Sequence, residues 1–395
     1  MRKPHILFIV ENNPVPGDKR VWLEALAAKE IYSHVSIISP LSKRYNRTFE
    51  EIDGVKIYRH TRLIEAKTTF GFLLEYFNAL LQEAYLALKI FIKKPFCTIH
   101  SANPPDHIFL IALFFKFFGV KFVFDHHDIS PENYVAKFGI KNIFYQGLLL
   151  MEKLSFKTAD IIISTNESYR RIAIERGKKM PHQVFVVRNG PDLSNIIFKQ
   201  RNRKLLEGFS YLVVYIGVIG NQEGVDNLLR SVRYIVYDKG RKDIKFMIVG
   251  KGTHWGSMVD LSKQMDLSKY VHFTGYVPYD EFYEIIASAD VCVNPEFRNS
   301  FTDKSTMLKI MDYMTFGRPI VQFDTTEGRV TAGDSSIYIS ENDEKRFADA
   351  LISLLDNQSK RNSMGVIGKQ RIRRTLNWDK QKEFLFEAYS SLHSP

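Results

Sequence analysis

The segment VVYIGVIGNQEGVDNLL, residues 213–229, passes from an apolar run through a glycine-rich turn into a helical pattern. The β-branched and aromatic residues before the first glycine are typical of a buried strand. Gly217, Gly220 and Gly224 then permit a tight turn into the next helix. Their spacing does not match the dinucleotide fingerprint G-x-G-x-x-G. The glycines therefore serve either a phosphate or the turn itself, and both interpretations stay open.

Short apolar runs alternate with helical segments on both sides of this unit. A first series covers residues 5–10, 34–39, 55–60, 97–101, 120–127, 160–165 and 184–189, and a second covers 211–217, 244–250, 271–275, 290–296 and 319–324. This alternation predicts an α/β protein with two doubly wound, Rossmann-like domains that join near residue 195. Ligands of such sheets bind outside the carboxyl ends of the strands, so we expect the chemistry there, in a cleft between the domains.

Length and composition agree with a two-domain globular protein. The chain has 395 residues, of which 45% are hydrophobic and 25% are charged. Cys97 and Cys292 lie in apolar runs without the neighbours of a zinc site or a disulfide framework. The apolar run ILFIV, residues 6–10, is too short for a signal peptide. We therefore expect a cytoplasmic protein.

The net charge of +11 is concentrated in the first half of the chain. Residues 1–200 hold 28 Lys and Arg against 19 Asp and Glu, and the remainder holds 27 against 25. Aromatic stretches at 68–96 and 107–124 lie among these cations but are too interrupted to span a membrane. One interpretation is a face on an anionic membrane, with lipid headgroups bound by Lys89, Lys93, Lys94 and Lys116. The other is a solvated face over a Phe-rich core. No recognition motif supports nucleic acid as a partner.

Polar residues follow the fifth apolar run, in the sequence VFDHHDISPEN at residues 123–133. Strand alternation predicts Asp125 and His127 on one face and His126 and Asp128 on the other. A histidine beside carboxylates can act in acid–base chemistry or bind a sugar hydroxyl. Alternatively, these groups anchor the turn that follows.

The segment NSFTDKSTMLKIMDYMTFGRPIV, residues 299–321, places Ser305, Lys309 and Asp312 at i, i+4 and i+7. On a helix these positions share one face. A phosphate could bind the helix start at Ser305 or Thr306, with Lys309 on a diphosphate and Asp312 on a ribose. The alternative is an ion pair between Lys309 and Asp312 on a solvated face.

With these residues in view, the chain resembles the GT-B glycosyltransferases of family 4 over almost its whole length. The resemblance rests on VHFTGYVPYDEFYEIIASADVCVNPE and MDYMTFGRPIV in the second domain, on NGPD between the domains, and on PGDKRVWLEAL and FDHHDISPENY in the first. The last two are similar to the subgroup that builds bacterial surface polysaccharides.

The resemblance implies a GT-B fold of three parts. These are an acceptor-binding domain at 1–195, a nucleotide-sugar-binding domain at 196–375, and a C-terminal helix at 376–395 that packs back on the first domain. The implied reaction is a retaining transfer of a sugar from a nucleotide sugar to a glycan or polyprenyl-linked acceptor. No metal or other cofactor is expected, and the sequence contains no Asp-x-Asp motif to hold a metal on the nucleotide. We expect the protein to act in the cytoplasm, as a peripheral protein on the inner face of the membrane.

The resemblance also implies roles for single residues. Gly17, in the turn PVPGDKR, would approach the donor diphosphate and the acceptor, and His127 would contact the donor sugar. Tyr276 and Val277 would lie beside the base, and Asp312 would hold the ribose. The acceptor side is predicted to include Asp18, Arg20, Asp128 and Glu132.

Two departures from the family alter the predicted donor site. Lys304 stands where the family has a first glutamate, so the neighbouring Asp303 is a candidate catalytic replacement. Val218 and Glu223 stand where the family has an arginine and a lysine aimed at the diphosphate. A leaving diphosphate needs fixed positive charge or dipoles.

The substitutes predicted for this charge are Lys309, the helix start at Ser305 and Thr306, and Arg329, while Gly220 lies in the altered loop. We expect Lys309→Ala to lower turnover far more than stability. An alternative for the whole chain is a non-catalytic GT-B subunit or scaffold at the membrane. A GT-B epimerase or phosphorylase fits the first-domain motifs less well.

Overall fold

The structure is a computed structural model that describes residues 4–61 and 69–392. Parts of three predicted segments lie outside the described residues. They are Arg2 and Lys3 of the basic start, the first residue of the aromatic stretch at 68–96, and the last three residues of the predicted C-terminal helix. The chain divides into two compact units. The first unit is Met1–Val135, Gly139–Asn189 and Gln381–Pro395, and the second unit is Ala136–Phe138 and Gly190–Lys380.

The first unit is built on an eight-stranded sheet. Its strands are β1 (His5–Ile9), β2 (His34–Pro40), β3 (Phe49–Ile52), β4 (Val55–His60), β5 (Thr98–Ala102), β6 (Lys121–His126), β7 (Ile161–Ser164) and β8 (Val184–Val186). Its helices include α1 (Lys19–Ala28), α2 (Thr69–Lys93), α3 (Phe109–Lys116), most of α4 (Ser130–Phe138), α5 (Ile143–Thr158) and α6 (Glu167–Glu175). The strand order is β3-β4-β2-β1-β5-β6-β7-β8. All pairs are parallel except β3 with β4.

The second unit is built on a six-stranded parallel sheet. Its strands are β9 (Tyr211–Ile216), β10 (Ile244–Val249), β11 (Val271–Gly275), β12 (Val291–Asn294), β13 (Ile320–Phe323) and β14 (Ser336–Ile339). Its helices are α7 (Val225–Arg233), α8 (Trp255–Gln264), α9 (Tyr279–Ser288), α10 (Leu308–Thr315), α11 (Thr326–Ala332), α12 (Glu344–Leu355) and α13 (Gln358–Arg371). The last helix, α14 (Trp378–Ser391), counts mostly with the first unit. The strand order β11-β10-β9-β12-β13-β14 reverses direction between β9 and β12.

The two faces of the second sheet bury separate cores. Val213 of β9 belongs to a cluster with Leu228 of α7, whereas its neighbour Val214 belongs to a cluster with Ile286 of α9 and Ile310 of α10. Successive strand residues point to opposite faces, so helices cover both sides of the sheet. The predicted fold class, two doubly wound α/β domains, is confirmed.

Two strands were not predicted from the sequence. The β3 sequence FEEI has no fully buried residue and pairs antiparallel at the edge of the first sheet. The β14 sequence SIYI has only four residues and lies at the edge of the second sheet. Edge strands need less apolar surface than central ones, so their sequences carry a weaker pattern.

Glycines allow the loops after β9, β10 and β12 to pack backbone against backbone. A Cβ on Gly250 would lie 1.9 Å from the carbonyl oxygen of Gly217, and the φ of Gly250 is +129°. A Cβ on Gly224 would lie 2.1 Å from the carbonyl oxygen of Pro295, and the φ of Gly224 is +69°. Neither position tolerates a side chain. These glycines are required by the turns and by the packing of one loop on another.

We predict that Gly250→Ala lowers the free energy of unfolding by at least about 2 kcal/mol, because it adds backbone strain and a steric clash. Gly256→Ala is the matched control, since this exposed glycine in α8 has open space around its Cβ position. Alanine there is expected to stabilise the helix by about 0.5–1 kcal/mol. Urea unfolding followed by circular dichroism measures both changes. Equal stability of the two variants would contradict this account of the loops.

Candidate functional site

A buried lysine lies where the strand order of the second sheet reverses. Lys309 is in the first turn of α10, Glu296 lies two residues after β12, and Tyr215 lies near the end of β9. The Lys309 Nζ is 2.5 Å from Glu296 Oε1, 3.4 Å from Tyr215 Oη and 4.7 Å from the centre of the Tyr215 ring. The Lys309 and Glu296 side chains are only 11% and 6% exposed. The fold thus holds a cation at the edge of the sheet where ligands of such folds bind.

The lysine stays charged despite its burial. Burial by itself would lower the pKa of Lys309, but the Glu296 carboxylate and the Tyr215 hydroxyl outweigh it, so that the pKa is raised above its usual value. Burial also raises the pKa of Tyr215 to about 12. The site therefore contains an ammonium and a neutral phenol at neutral pH.

The lysine lies beneath the glycine loop that lacks the expected basic residues. Tyr215 Oη donates a hydrogen bond to the Val218 carbonyl at 2.8 Å, and a Cβ on Gly217 would lie 3.5 Å from Lys309 Nζ. The Val218 side chain is 59% exposed, and a Glu223 carboxylate oxygen accepts a hydrogen bond from a backbone amide of the same loop. Because Gly217 has no side chain, the positive charge of Lys309 can act on an anion bound over this loop.

Gly220 lies in the same loop and is partly exposed. A Cβ there would lie 2.6 Å from the Glu223 carboxylate. The structure thus places Gly217 beside Lys309, with Gly220 three residues further along the same loop. The donor-binding roles of Gly220 and Lys309 remain predictions.

The predicted helix start is wrong. Helix α10 begins at Leu308, so Ser305 and Thr306 precede it and do not share a helical face with Lys309. The Ser305 hydroxyl donates to the Phe301 carbonyl at 2.8 Å, and the Ser305 amide donates to the same carbonyl at 3.1 Å. Hydroxyl groups that bond locally to the backbone compete with helix formation. Any phosphate at this helix would meet residues 308–310 instead.

Asp303 and Arg329 both form ion pairs, and Asp303 also accepts hydrogen bonds. An Asp303 carboxylate oxygen accepts hydrogen bonds from the amide and hydroxyl of Thr326 at 2.8 and 3.0 Å and pairs with Arg298 at 3.0 Å. Both Arg329 Nε and Nη2 donate to the Asp324 carboxylate, at 2.6 and 2.8 Å. Asp303 thus anchors the start of α11, and the charge of Arg329 is neutralised. The predicted roles of Asp303, as the replacement of the family's first glutamate, and of Arg329, as a diphosphate ligand, remain predictions.

Three further predicted donor residues lie along this part of the second unit. Asp312 is half-buried in α10, and its charge adds to burial in raising the pKa of Tyr283. Tyr276 follows β11 and is 79% exposed, and Val277 packs against the core on the α9 and α10 side. The contacts of these three residues with a nucleotide remain predictions.

In the first unit, Asp125 organises the predicted strand-end cluster. Arg20 donates two hydrogen bonds of 2.7 Å to the Asp125 carboxylate, and His127 Nδ1 lies 3.3 Å from Asp125 Oδ2. Burial alone would raise the pKa of Asp125, but Arg20 and His127 lower it strongly. His126 instead faces Glu152 at 3.5 Å. The predicted alternation of Asp125 and His127 against His126 is confirmed, and Asp125 orients the His127 ring.

The predicted acceptor-side residues are engaged within the first unit. The Asp18 carboxylate caps α1 by accepting from the Val21 amide at 3.1 Å, and Glu132 pairs with Arg176 at 2.8 Å. The buried Arg20 also donates to the Val187 carbonyl, and burial raises the pKa of Asp128. These contacts stabilise the turns after β1 and β6.

Gly17 is exposed before α1, and a Cβ on it would lie 2.9 Å from the Pro14 carbonyl oxygen. The tight turn thus requires the glycine whether or not a ligand approaches it. Binding of an acceptor by Gly17 and by Asp18, Arg20, Asp128 and Glu132 remains a prediction.

Sequence reasoning missed Glu296 and Tyr215 as members of the site. Tyr215 reads as one more aromatic residue of a buried strand, and its hydroxyl gives no signal of its own. Glu296 could have been found, because it is an acid directly after a strand, in the sequence NPE. Its lysine partner lies 13 residues further along the chain, so only the fold shows the pairing.

The ion pair with Glu296 gives Lys309 a structural role, so its loss is expected to lower stability as well as turnover. Removal of the lysine leaves Glu296 buried and unpaired, so we predict that Lys309→Met lowers the free energy of unfolding by about 3–5 kcal/mol. The double variant Lys309→Met/Glu296→Gln removes both charges and should recover most of this loss. Urea unfolding monitored by fluorescence and circular dichroism provides the three free energies.

Lys263→Met serves as the control. Lys263 pairs with Asp260 on the surface, with 65% of its side chain exposed, and should change stability by about 1 kcal/mol or less. If the double variant is no more stable than Lys309→Met, Glu296 is not the partner on which Lys309 depends.

Comparison with known proteins finds similarity to glycosyltransferases in the second unit. Residues 210–357 match the family model described as Glycosyl transferases group 1. An uncharacterized glycosyltransferase of Methanocaldococcus jannaschii is 22% identical over 241 residues, which cover 59% of each chain. The capsular polysaccharide biosynthesis glycosyltransferase CapM of Staphylococcus aureus is 21% identical over 65% of this chain and 67% of CapM. The chain matches 53–59% of the length of the first three curated relatives.

Solved structures extend the likeness to both units. The sucrose-phosphate synthase of Thermosynechococcus elongatus has a TM-score of 0.78 at 16% identity, covering 99% of each chain. WaaG, a glycosyltransferase of lipopolysaccharide biosynthesis, has a TM-score of 0.70 at 12% identity, covering 99% of this chain and 100% of WaaG. The Anabaena protein HepE in complex with UDP has a TM-score of 0.72 at 13% identity, covering 99% of this chain and 100% of HepE. Residues 210–357 are therefore similar to the glycosyl transferases group 1 family, and the chain as a whole has the GT-B fold.

Proposed function

We propose that this protein transfers a sugar from a nucleotide sugar to a glycan or polyprenyl-linked acceptor in the synthesis of a surface polysaccharide. The observation that carries the proposal is the buried Lys309 ammonium beside Gly217. It lies where the strand order reverses between β9 and β12, in the part of the chain that matches the glycosyl transferases group 1 model. CapM, which is similar in sequence, is named for capsular polysaccharide biosynthesis. WaaG, which is similar in fold, is named for lipopolysaccharide biosynthesis. HepE, of the same fold, was solved with UDP.

The proposed role of Lys309 follows from charge. When the bond between the anomeric carbon and the diphosphate oxygen breaks, the bonding electrons leave with the diphosphate, and its negative charge increases. A fixed cation in a site of low dielectric stabilises that charge without having to reorient. Lys309 is held in this way by Glu296 and Tyr215.

We propose that the reaction retains the configuration of the sugar and needs no metal ion. The departing diphosphate would accept the proton of the acceptor hydroxyl, so that a single group serves as leaving group and base. Asp312 is the proposed ligand of the ribose. His127, oriented by Asp125, is the proposed polar contact that the first unit provides to the reacting sugar.

We predict release of nucleoside diphosphate when the protein is incubated with one member of a panel of UDP- and GDP-sugars and with membrane lipid extract. The variant Lys309→Met/Glu296→Gln should keep its fold and lose about 10²–10³-fold in turnover, the loss expected when one preorganised charge is removed. Anomeric coupling constants in the NMR spectrum of the product report retention, and activity in excess EDTA tests the metal-free mechanism. Lys263→Met is the control of unchanged activity.

Full activity of the folded double variant would remove Lys309 from the mechanism. If no UDP- or GDP-nucleotide raises the unfolding temperature and no nucleoside diphosphate is released, the protein is a non-catalytic GT-B subunit. That result would leave the fold as described and overturn the proposed activity.

We further propose that the first unit rests on an anionic membrane surface. The exposed apolar residues of α2 follow helical spacing along one side, at Leu74, Phe77, Leu81, Tyr85, Leu88 and Ile92. Phe91 of α2 packs against Phe115 of α3 at 5.1 Å, and Phe117 and Phe118 beyond α3 are 85% and 60% exposed. Such a contiguous apolar surface marks an interaction site.

Cations border this apolar surface. Lys89, Lys93 and Lys94 are exposed at the C-terminal end of α2, where they can contact lipid headgroups. Lys116 differs from its predicted role, because it pairs with Asp160 at 2.8 Å and donates to the Thr158 carbonyl. Among the helices in the described ranges, none is long and apolar enough to cross a membrane. An apolar stripe with a basic end is typical of helices that lie in the membrane interface.

We predict that the protein sediments with vesicles of phosphatidylcholine and phosphatidylglycerol and that Lys89→Glu/Lys93→Glu/Lys94→Glu weakens this binding. Each cation near an anionic surface contributes about 1 kcal/mol, so the triple reversal should lower the partition coefficient more than 100-fold. Lys263→Glu is the control at an exposed lysine of the second unit. Equal sedimentation of all three proteins would overturn the membrane proposal.

A further inference from the structure

A second basic site lies at the opposite end of β12 from Lys309 and Glu296. It is a cavity of about 320 Å³ lined by Asp290, directly before β12, by Gly317 and Arg318, before β13, and by the face of α13 that includes Arg361 and Lys369. Asp290 and Glu296 are six residues apart along an extended chain, or about 20 Å at 3.3 Å per residue. This anion cavity is therefore separate from the candidate donor site.

Positive charge exceeds negative charge among the residues that line the anion cavity. Asp290 is the one carboxylate in that described lining, and Arg201 neutralises it through bonds of 2.8 and 2.9 Å. Arg318, Arg361 and Lys369 have no carboxylate partner in the described part of the chain. Three cations thus converge on one cavity without a counterion from the described residues.

The uncompensated cations are held in place by other contacts. Arg318 Nη1 donates to the Ala289 carbonyl at 2.9 Å, while its buried Nε has no hydrogen-bond partner among the described residues. Arg361 donates to the Leu354 carbonyl at 3.0 Å and stacks over the Tyr211 ring at 5.5 Å. The backbone carbonyl and the aromatic ring leave further N–H groups of both guanidinium ions available to a ligand.

Lys369 is positioned by a glycine. Its stem lies over Gly317, where a Cβ would be only 2.6 Å from Lys369 Cε. Burial together with the neighbouring charges of Arg318 and Arg373 lowers the pKa of Lys369, and burial is also the largest cause of the lowered pKa of Arg318. Mutual repulsion of this kind is relieved when an anion binds.

We propose that the anion cavity binds a phosphate or diphosphate group, at a site distinct from the one that holds the nucleotide sugar. Guanidinium forks match the paired oxygens of phosphate, and a lysine adds a point charge. A ligand with two or three negative charges would balance the three uncompensated cations. The first turn of α13, at Gln358 to Arg361, also lines the cavity, and the positive end of its dipole favours an anion there.

The cavity can also hold the body of a phosphate ester. It continues into a neighbouring cavity of about 490 Å³ that shares Arg201, Asp290 and Arg361 and adds Arg203 and Tyr211. The shared chemistry is a phosphate group, and its source is either a soluble phosphate or the headgroup of a lipid phosphate. The proposal does not depend on the transferase activity.

Isothermal titration of the full chain with pyrophosphate tests the proposal. We expect Lys369→Gln to weaken binding about tenfold and Lys369→Glu about 100-fold, since a hydrogen bond to a charged group is lost and then a repulsion is added. Lys263→Gln, which removes an exposed lysine elsewhere on the second unit, should bind pyrophosphate as the natural sequence does. Circular dichroism verifies that the variants fold.

Two further measurements separate this site from the candidate donor site. UDP or GDP affinity should be unchanged in Lys369→Gln, and pyrophosphate affinity should survive in Lys309→Met/Glu296→Gln. Binding of pyrophosphate that is unchanged in Lys369→Glu, or lost only in the Lys309 double variant, would overturn the proposal. Absence of pyrophosphate binding by the natural sequence would do the same.

The same titration with short-chain phosphatidate below its micelle concentration distinguishes the sources. Binding tighter than that of pyrophosphate and sensitive to Lys369→Gln would assign the site to a lipid phosphate. The reverse order, with the same sensitivity, would assign it to a soluble diphosphate. If Lys369→Gln changes the affinity for neither ligand, the proposed site is wrong.

Discussion

The ion pair between Lys309 and Glu296 fixes the carboxyl edge of the second sheet. A cation in the first turn of a helix opposes the helix dipole, and a buried cation loses its hydration. Lys309 bears both costs, and Glu296 and Tyr215 offset them. The pair joins α10 to the segment after β12, and the contact of Lys309 with Tyr215 joins α10 to β9. The position of the glycine loop follows from the same contacts, because Tyr215 also bonds to Val218.

The charges at the two ends of α10 have opposite relations to its dipole. Lys309 at the start requires a carboxylate, whereas Arg318, three residues past the end, lies where the dipole favours a cation. The site at Lys309 is neutral before a ligand binds, because Glu296 balances the lysine. The anion cavity at Arg318 is positive, because three of its cations have no carboxylate partner among the described residues. An anion at the first site would share the ammonium with Glu296, whereas an anion at the second would meet cations that have no carboxylate partner among the described residues.

The central strands were predictable because burial on both faces demands continuous apolar runs, such as that of β9. The edge strands β3 and β14 were not, since one or both faces meet solvent. The start of α10 was misjudged by three residues, because the hydroxyl of Ser305 donates to the Phe301 carbonyl in the turn that precedes the helix. Lys309 was found from its spacing and its place after a strand. Its pairing with Glu296 and Tyr215 is a tertiary contact among residues far apart in the chain, and no local pattern encodes it. The anion cavity was missed for the same reason, as its four cations come from three separate segments.

The path of the chain has a consequence for how the protein is made. Apart from Ala136–Phe138, the second unit is one continuous segment, Gly190–Lys380, whereas the first unit takes its last residues from Gln381–Pro395. Within the first unit, Tyr389 donates to or accepts from His100 Nδ1 at 2.8 Å, and both side chains are fully buried. Domains generally fold in the order of their synthesis. Here Gly190–Lys380 precedes Tyr389 in the chain, so the N-terminal sheet, although it is made first, receives this partner of His100 only after the second unit has been synthesised.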